Sequence, residues 1–304
     1  MQEILLNQVK LNFSSESLFF LNIILAFVMF GVALQLKAQN FSKLFSNPKS
    51  TIAGIISQFF LLPFITFILI VIMKPGATVA LGMLMVASCP GGNISNFFTS
   101  LAKGNVELSV GLTAFSTIFA VIMTPLNFVF WGGLYLGIGN HPVDIVLNPL
   151  DMFYNIFLIL GIPVILGIMF SKYLPDITSK ITHPIKIASM GIFILFVAIA
   201  FFNNSDIFIN YIHLVIGLVF LHNLFAILTG YFVGKAFGLS LQDKRTLAIE
   251  TGIQNSGLGL ILIFSFFNGI GGMAIVAAWW GIWHIITGFG LAFLWSGLIP
   301  KVYA

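Results

Sequence analysis

The sequence predicts an all-α polytopic membrane protein with nine transmembrane helices. A soluble domain carries about 25 % charged residues, whereas this chain of 304 residues carries 7 %. Hydrophobic residues make up 59 % of the chain, and its mean hydropathy is +1.07. So few charges cannot cover a water-facing surface, which excludes a soluble globular protein and makes the lipid bilayer the first expected partner. A net charge of +4 drawn from so few groups does not favour nucleic-acid binding.

Nine apolar runs are long enough to cross a bilayer, which requires about 20 residues in a helix. Charged residues or stretches rich in Pro, Gly and Asn separate these runs. The predicted spans are 17–37, 49–73, 76–102, 105–135, 150–171, 184–203, 207–235, 243–267 and 272–298.

The basic residues support this count, because nine spans place the two termini on opposite sides of the membrane. One side then holds 11 of the 13 basic residues, and the other holds only Lys10 and Lys74. The eleven are Lys37, Lys43, Lys49, Lys103, Lys172, Lys180, Lys186, Lys235, Lys244, Arg245 and Lys301. Cytoplasmic loops carry the excess of Lys and Arg, so we expect the N-terminus outside and the C-terminus inside.

Two spans carry helix-breaking segments in their middle. The third contains Cys-Pro-Gly-Gly-Asn-Ile-Ser-Asn (89–96), and the eighth contains Glu-Thr-Gly-Ile-Gln-Asn-Ser-Gly (250–257). Pro90 removes a backbone donor and the glycines permit unwinding, which membrane helices tolerate only where they face protein or a watery cavity. The broken spans are five apart and therefore run in opposite directions, as an inverted repeat predicts. Spans one to four would match the last four of spans five to nine.

Glu250 is the only carboxylate well inside a predicted span. The other candidates lie at predicted span ends, where water is near: Glu107, Asp151, Asp206 and Asp243. An ionised group deep in the membrane needs a partner, and no Lys or Arg stands at mid-span. The partner of Glu250 is therefore a bound cation or a proton.

Oxygen-bearing side chains cluster in the same part of the sequence. Ser109, Thr113, Ser116 and Thr117 fall on one face of span four, Gln58 lies midway along span two, and Ser95, Asn96, Gln254 and Asn255 flank the breaks. Oxygen ligands without a soft-ligand cluster favour a hard cation, and the one cysteine, Cys89, excludes a cysteine metal centre.

Single hydroxyls on a membrane helix can instead bond to their own backbone. We assign that role to Ser116 and Thr124 taken singly. Among the histidines, we interpret His213 and His222 as packing residues or helix-to-helix hydrogen-bonding residues. His284 lies in the middle of span nine and is a candidate for lining a substrate cavity.

The motifs of soluble catalysis are missing from the sequence. It has no Walker loop, no His-Glu-x-x-His and no Gly-x-Ser-x-Gly. An enzyme is therefore not expected, and uphill transport without a nucleotide site would use an ion gradient. A proton-coupled carrier or antiporter of similar fold, a channel and a non-transporting receptor stay open as alternatives.

The paired motifs resemble those of the bile acid:sodium symporter family. Residues 89–96 followed by Ala-Lys-Gly-Asn-Val-Glu-Leu-Ser (102–109) are similar to the family's first crossing helix and its exit, and Glu-Thr-Gly-Ile-Gln-Asn-Ser (250–256) is similar to the second. Further matches are Pro48-Lys49, Gln58, Pro63 and Trp283-His284. The resemblance extends from about residue 20 to 298 and is to the nine-helix type of the family.

The resemblance implies one transporter unit over 1–304 with two domains and two sodium ions. The core domain would be about 49–135 and 207–298, and the panel domain about 17–37 and 150–203. The first sodium site would comprise Ser95, Asn96, Ser109, Thr113 and Glu250. The second would comprise Gln58, Glu250, Thr251, Ile253 and Gln254, with Thr251 and Ile253 acting through their carbonyl groups.

The family's substrate positions carry over to Asn93, Asn255 and His284. Asn93 stands where many bacterial members have Thr and matches the bile-salt-transporting type. The implied function is sodium-coupled symport of an organic anion, bile-salt-like or a small carboxylate, by alternating access. The implied state is a monomer in the cell (plasma or inner) membrane.

Overall fold

The computed structural model describes residues 15–34, 44, 47–138, 149–267 and 269–296, and this part of the chain is helical without a β-sheet. The all-α prediction is therefore confirmed for these residues. The helices are α1 (Ser15–Ala33), α2 (Pro48–Met73), α3 (Ala77–Ser88), α4 (Ile94–Leu101), α5 (Val106–Ile138), α6 (149–173), α7 (Pro175–Phe202), α8 (Ser205–Ala236), α9 (Leu241–Gly252), α10 (Ser256–Phe267) and α11 (Gly271–Ser296).

Five of the described helices are long and apolar enough to cross a membrane: α2, α5, α6, α8 and α11. Shorter apolar helices occur at Asn22–Ala33, Ala77–Ser88 and Ser256–Phe267. The protein is therefore a polytopic membrane protein by length and composition, while the count of nine spans stays a prediction. Lys10, Lys37, Lys43 and Lys301, on which the predicted orientation partly rests, lie outside the described residues.

Local sequence signals explain where several helices begin and end. Asn47 caps α2 by accepting from the Ser50 amide at 3.5 Å, and Pro48 fits the first turn because it needs no donor there. The helix ends at Lys74, whose left-handed backbone (φ 49°) precedes Pro75. Ser240 caps α9 by accepting from the Asp243 amide at 3.1 Å.

Two helices contain a π-helical turn directly before a proline. The turns are Ser57–Leu61 in α2 and Phe157–Gly161 in α6, ahead of Pro63 and Pro163. Proline cannot donate to the carbonyl four residues earlier and its ring clashes with that carbonyl, so a wider turn relieves the conflict. Such turns are frequent at functional sites, and the first of them contains Gln58.

The largest boundary difference concerns α7, which begins at Pro175 rather than at the predicted residue 184. The apolar run starts at 184, but the helix extends into the polar segment before it. Pro175 is a favourable first helical residue, and Asp176 in the first turn complements the helix dipole. Hydropathy therefore located the apolar part of the helix and not its true start.

Small residues set the closest helix contacts, as is usual between membrane helices. A Cβ atom on Gly31 of α1 would lie 2.8 Å from Ile185 of α7, and one on Gly167 of α6 would lie 2.6 Å from Ala33 of α1. The helices α1, α6 and α7 thus pack against one another. In the largest buried cluster, Gly82 of α3 packs directly on Met273 of α11.

A buried polar cluster joins α9 to α2 and to the turn between α4 and α5. Asp243 is only 6 % exposed, so the expectation that it lies near water was wrong. Its carboxylate accepts from Ser50 Oγ and from Asn105 Nδ2, each at 2.8 Å. Thr246 Oγ1 accepts from the Asn105 amide at 2.7 Å. These bonds compensate for the burial of the Asp243 carboxylate and fix the first turn of α9.

We expect Asp243→Asn to destabilise the protein, because the new amide cannot accept from both Ser50 and Asn105. Leaving a buried donor without its acceptor should lower the free energy of unfolding by about 1–3 kcal/mol. Asp206→Asn is the matched control, since Asp206 is an exposed first-turn carboxylate of α8. Thermal unfolding in detergent measures both. Equal midpoints for the two variants would contradict this account of the cluster.

Candidate functional site

The two helix breaks cross each other inside the helix bundle. Between α3 and α4, the Gly92 amide donates to the Ile253 carbonyl at 2.8 Å. Between α9 and α10, the Asn255 amide donates to the Pro90 carbonyl at 2.8 Å. The unwound segments therefore satisfy each other's backbone groups, as polar backbone deep in a membrane must. Four half-helix ends meet at this point.

The glycines at the crossing lie at points of close approach. A Cβ atom on Gly92 would lie 3.1 Å from the Gln254 carbonyl oxygen, and one on Gly91 would lie 3.2 Å from Glu250 Oε2. The crossing therefore leaves little room for larger residues, and it brings α9 beside the start of α4.

Glu250 lies at the centre of an oxygen cluster next to the crossing and is 5 % exposed. Its Oε1 accepts from Ser95 Oγ at 2.5 Å and from Ser109 Oγ, and its Oε2 accepts from Thr113 Oγ1 at 3.0 Å. These partners are neutral hydroxyl groups, so they solvate the carboxylate without balancing its charge. A small cation among these oxygens would balance that charge.

The cluster holds more acceptor oxygens than protons. Asn96 Oδ1 lies 2.8 Å from Ser109 Oγ and 3.4 Å from Thr113 Oγ1. Ser109 has one hydroxyl proton, yet its oxygen also lies 3.2 Å from Thr99 Oγ1 and in contact with Glu250. Converging oxygens that outnumber their protons are the ligands a hard cation prefers. All five residues of the first sodium site implied by the resemblance are thus brought together.

A second polar group connects α2 to the end of α9. Gln58 Nε2 donates to Gln254 Oε1 at 2.7 Å, and Gln254 Nε2 donates back to Gln58 Oε1 at 3.1 Å. Gln254 Nε2 also donates to the Thr251 carbonyl at 2.8 Å. Gln58, Thr251, Gln254 and Glu250 are therefore neighbours. The Ile253 carbonyl lies on the same turn but accepts from Gly92.

The three residues implied for substrate have different surroundings. Asn93 is exposed at the start of α4, and Asn255 Oδ1 accepts from the Leu258 amide at 3.0 Å and so caps α10. His284 is buried in α11 with Nδ1 unpartnered among the described residues. No hydrogen bond within the described residues joins His284 to either asparagine. The structure places Asn93 and Asn255 at the crossing and His284 on a separate helix.

The sequence analysis missed several residues that support this site. Ser57 Oγ and Thr251 Oγ1 are 2.7 Å apart, and Asn223 Nδ2 on α8 donates to the Gly252 carbonyl at 2.7 Å, at the end of α9. Thr99 contacts Ser109. Each lies next to another polar residue in a mainly apolar span, and this polarity was the only available signal.

The two predicted back-bonding hydroxyls differ. Ser116 Oγ donates to the Thr113 carbonyl at 3.1 Å, which confirms that prediction. The prediction was wrong for Thr124, whose buried hydroxyl has no partner within the described residues. His222 does form a helix-to-helix contact, with Nε2 2.7 Å from Thr66 Oγ1 of α2.

Comparison with known proteins identifies the family of this chain. The model of the sodium bile acid symporter family matches residues 22–211, which is more than half of the chain. The chain belongs to the sodium bile acid symporter family. The members of this family are sodium-dependent transporters rather than enzymes.

Three relatives of this chain come from a bacterium, a plant and a mammal. The uncharacterized sodium-dependent transporter YocS of Bacillus subtilis is 32 % identical over 97 % of this chain and 90 % of its own length. The "Probable sodium/metabolite cotransporter BASS1, chloroplastic" of Arabidopsis thaliana is 31 % identical over 91 % of this chain and 67 % of its own length. The sodium/bile acid cotransporter 5 of Rattus norvegicus is 29 % identical over 84 % of this chain and 57 % of its own length.

We expect Gly91→Ala to destabilise the protein, because its methyl group would press on Glu250 Oε2 at the crossing. Overpacking of this kind costs about 1–3 kcal/mol. Gly133→Ala is the matched control, since nothing lies within 4 Å of the Cβ position there. Thermal unfolding of both variants tests the prediction. A Gly91→Ala midpoint no lower than that of the wild type would mean that the crossing is looser than described, while Gly133→Ala should not lower the midpoint, since Ala is favoured over Gly inside a helix.

Proposed function

We propose that the protein is a symporter that couples the inward movement of sodium to the uptake of an organic anion. One observation carries the proposal: in a family of sodium-dependent transporters, a buried carboxylate that has no cationic partner in the described part of the chain lies among converging hydroxyl and amide oxygens. These contacts are made by Ser95, Asn96, Ser109 and Thr113 around Glu250. A sodium ion would supply the missing positive charge.

Two sodium ions would bind on either side of Glu250. The first would use the hydroxyl and amide oxygens of Ser95, Asn96, Ser109 and Thr113 with the Glu250 carboxylate. The second would use Glu250, the side chains of Gln58 and Gln254, and the carbonyl groups of Thr251 and Ile253. Its binding would rearrange the reciprocal hydrogen bonds between the two glutamines, because each amide oxygen is already an acceptor there.

Sodium binding would prepare the anion site at the crossing. A bound ion would neutralise Glu250 and tie α4, α5 and α9 together, which favours one arrangement of the crossing. The helices α4 and α10 begin there, and helix N-termini attract anions. Asn93 and Asn255 would add amide donors, and His284 would contribute from α11. Sodium and substrate would then favour the same state and raise each other's affinity.

The transport cycle would move one group of helices against another. We propose a core of about 49–135 and 207–298 and a panel of about 17–37 and 150–203, in a nine-span inverted repeat with the N-terminus outside. The mutual packing of α1, α6 and α7 supports this division. The protein would act as a monomer in the cell (plasma or inner) membrane. Two of the relatives are named as a probable sodium/metabolite cotransporter and a sodium/bile acid cotransporter, so small carboxylates and bile salts are both candidate substrates.

We expect purified protein to be more heat-stable in sodium than in potassium at equal ionic strength. A ligand that binds only the native state raises stability by mass action, by about 2.7 kcal/mol at 100 times its Kd. A panel of bile salts and small carboxylates is then added in each salt. One anion should stabilise further in sodium and less in potassium. Equal stability in both salts, with a response to pH instead, would favour the alternative of a proton-coupled carrier.

We expect Glu250→Gln to abolish the sodium-specific stabilisation, because the neutral amide no longer needs a cation. The variant keeps the shape of the side chain and one acceptor oxygen for the hydroxyl groups. Glu107→Gln is the control, since Glu107 is an exposed carboxylate in the first turn of α5. The difference between the unfolding midpoints in sodium and potassium is measured for each. A full sodium effect in Glu250→Gln would refute the proposed mechanism.

A further inference from the structure

A small cavity lies on the α2 side of Glu250, away from Ser95 and Asn96. Its volume is about 10 Å³, which is close to the space that a single water-sized species needs. Its polar lining comes from Gln58 of α2, Ser116 of α5 and Glu250 of α9. The remaining wall is largely apolar and includes Phe59, Leu112 and Phe115. A species in this cavity would have few polar partners besides these three residues.

Ser116 differs from its neighbour Thr117 in one respect. Both hydroxyls donate to the Thr113 carbonyl, at 3.1 Å for Ser116 and 2.8 Å for Thr117. Both residues are buried, at 4 % and 7 % exposure. Ser116 lines the cavity, whereas Thr117 does not. Thr117 makes the same hydrogen bond to the Thr113 carbonyl without lining the cavity. This bond therefore does not explain why Ser116 lies at the cavity wall.

The back-bond also fixes how the Ser116 hydroxyl is oriented. Its single proton is engaged by the Thr113 carbonyl, so its oxygen can offer only lone pairs to the cavity. Both Ser116 Oγ and Glu250 Oε2 face the same side of Gly91, since a Cβ atom there would lie 3.8 Å and 3.2 Å from them. An acceptor-only hydroxyl beside a carboxylate supplies two oxygen ligands of the kind that a hard cation prefers.

We propose that Ser116 is a sodium-binding residue, whose hydroxyl oxygen completes a cation position in this cavity together with Glu250 and Gln58. This inference rests on the proposed sodium coupling and adds a ligand to it. The cation there gains a neutral oxygen from α5, the helix that also carries Ser109 and Thr113. Ser116 therefore connects the cavity to α5, which also carries ligands of the first sodium site. Binding of a cation in the cavity would affect the first site, so the two ions become energetically coupled.

The test measures sodium binding alone, because the substrate is not needed. Equilibrium binding of ²²Na⁺ to the purified full-length chain is compared for the wild type, Ser116→Ala, Ser116→Cys and Thr117→Val. Cysteine keeps nearly the volume of serine and a weak donor for the Thr113 carbonyl, but replaces a hard oxygen with soft sulfur. It therefore separates loss of a ligand from loss of packing. Thr117→Val removes the matched hydroxyl outside the cavity.

We expect both Ser116 variants to raise the sodium concentration for half-saturation by roughly 3- to 10-fold, because one hard oxygen ligand of the cation is lost. Thr117→Val should stay within about twofold of the wild type. The inference is overturned if Ser116→Cys elutes as a monodisperse, folded protein and binds sodium like the wild type. It is also overturned if Thr117→Val weakens binding as much as Ser116→Ala.

Ser95→Ala separates failure of this inference from failure of the proposed function. If Ser95→Ala weakens sodium binding and the Ser116 variants do not, sodium coupling stands and Ser116 is only structural. If the wild type binds no sodium, the proposed function fails, and the inference fails with it.

Discussion

The candidate site depends on the burial of the Glu250 carboxylate, which has no cationic partner within the described residues. Glu250 is held by three hydroxyl groups from α4 and α5, which compensate only in part for removing a charge from water. In the proposed function, this incomplete compensation gives the site its affinity for a small cation. It also explains why so many polar side chains occur in helices that are otherwise apolar. The part of the Glu250 charge that is not compensated requires polar neighbours, whereas helix packing alone would not require them.

The crossing of the two breaks makes this arrangement possible. An unbroken third span would keep Ser95 and Asn96 in a continuous helix, whereas the break lets α4 start beside Glu250. The backbone bonds between 90–92 and 253–255 satisfy groups that lipid could not. Asn223 closes the end of α9 by donating to the Gly252 carbonyl. In the proposed function, the Glu250 side chain and the neighbouring main-chain carbonyl groups therefore contribute to both sodium sites from a single turn of helix.

Hydropathy and a few exceptional residues predicted the apolar helices and the positions of both breaks. Pro90, Gly91 and Gly92 marked the first break because their chemistry is local, and Glu250 stood out as the one carboxylate at mid-span. The burial of Asp243 was not predictable in this way, because it depends on Ser50 and Asn105, which are distant in sequence. The surroundings of Ser116 were not predictable for the same reason. Its residue type predicted a hydrogen bond to its own helix, which it makes to the Thr113 carbonyl, but the cavity beside it forms only when α2 and α9 approach α5.

The polar contacts also indicate where movement can occur. The helix α2 is bound to α9 at two levels, by Ser50 with Asp243 and by Gln58 with Gln254, and α9 is bound to α4 and α5 through Glu250. A cation that strengthens these bonds makes α2, α4, α5 and α9 more nearly rigid as a unit. In the proposed cycle, alternating access would then not arise from opening the ligand cluster while an ion is bound. It would arise where α1, α6 and α7 meet the other helices. One such contact is polar, because Ser265 Oγ of α10 donates to Asn22 Oδ1 of α1 at 2.8 Å, so sliding at that point would break this hydrogen bond.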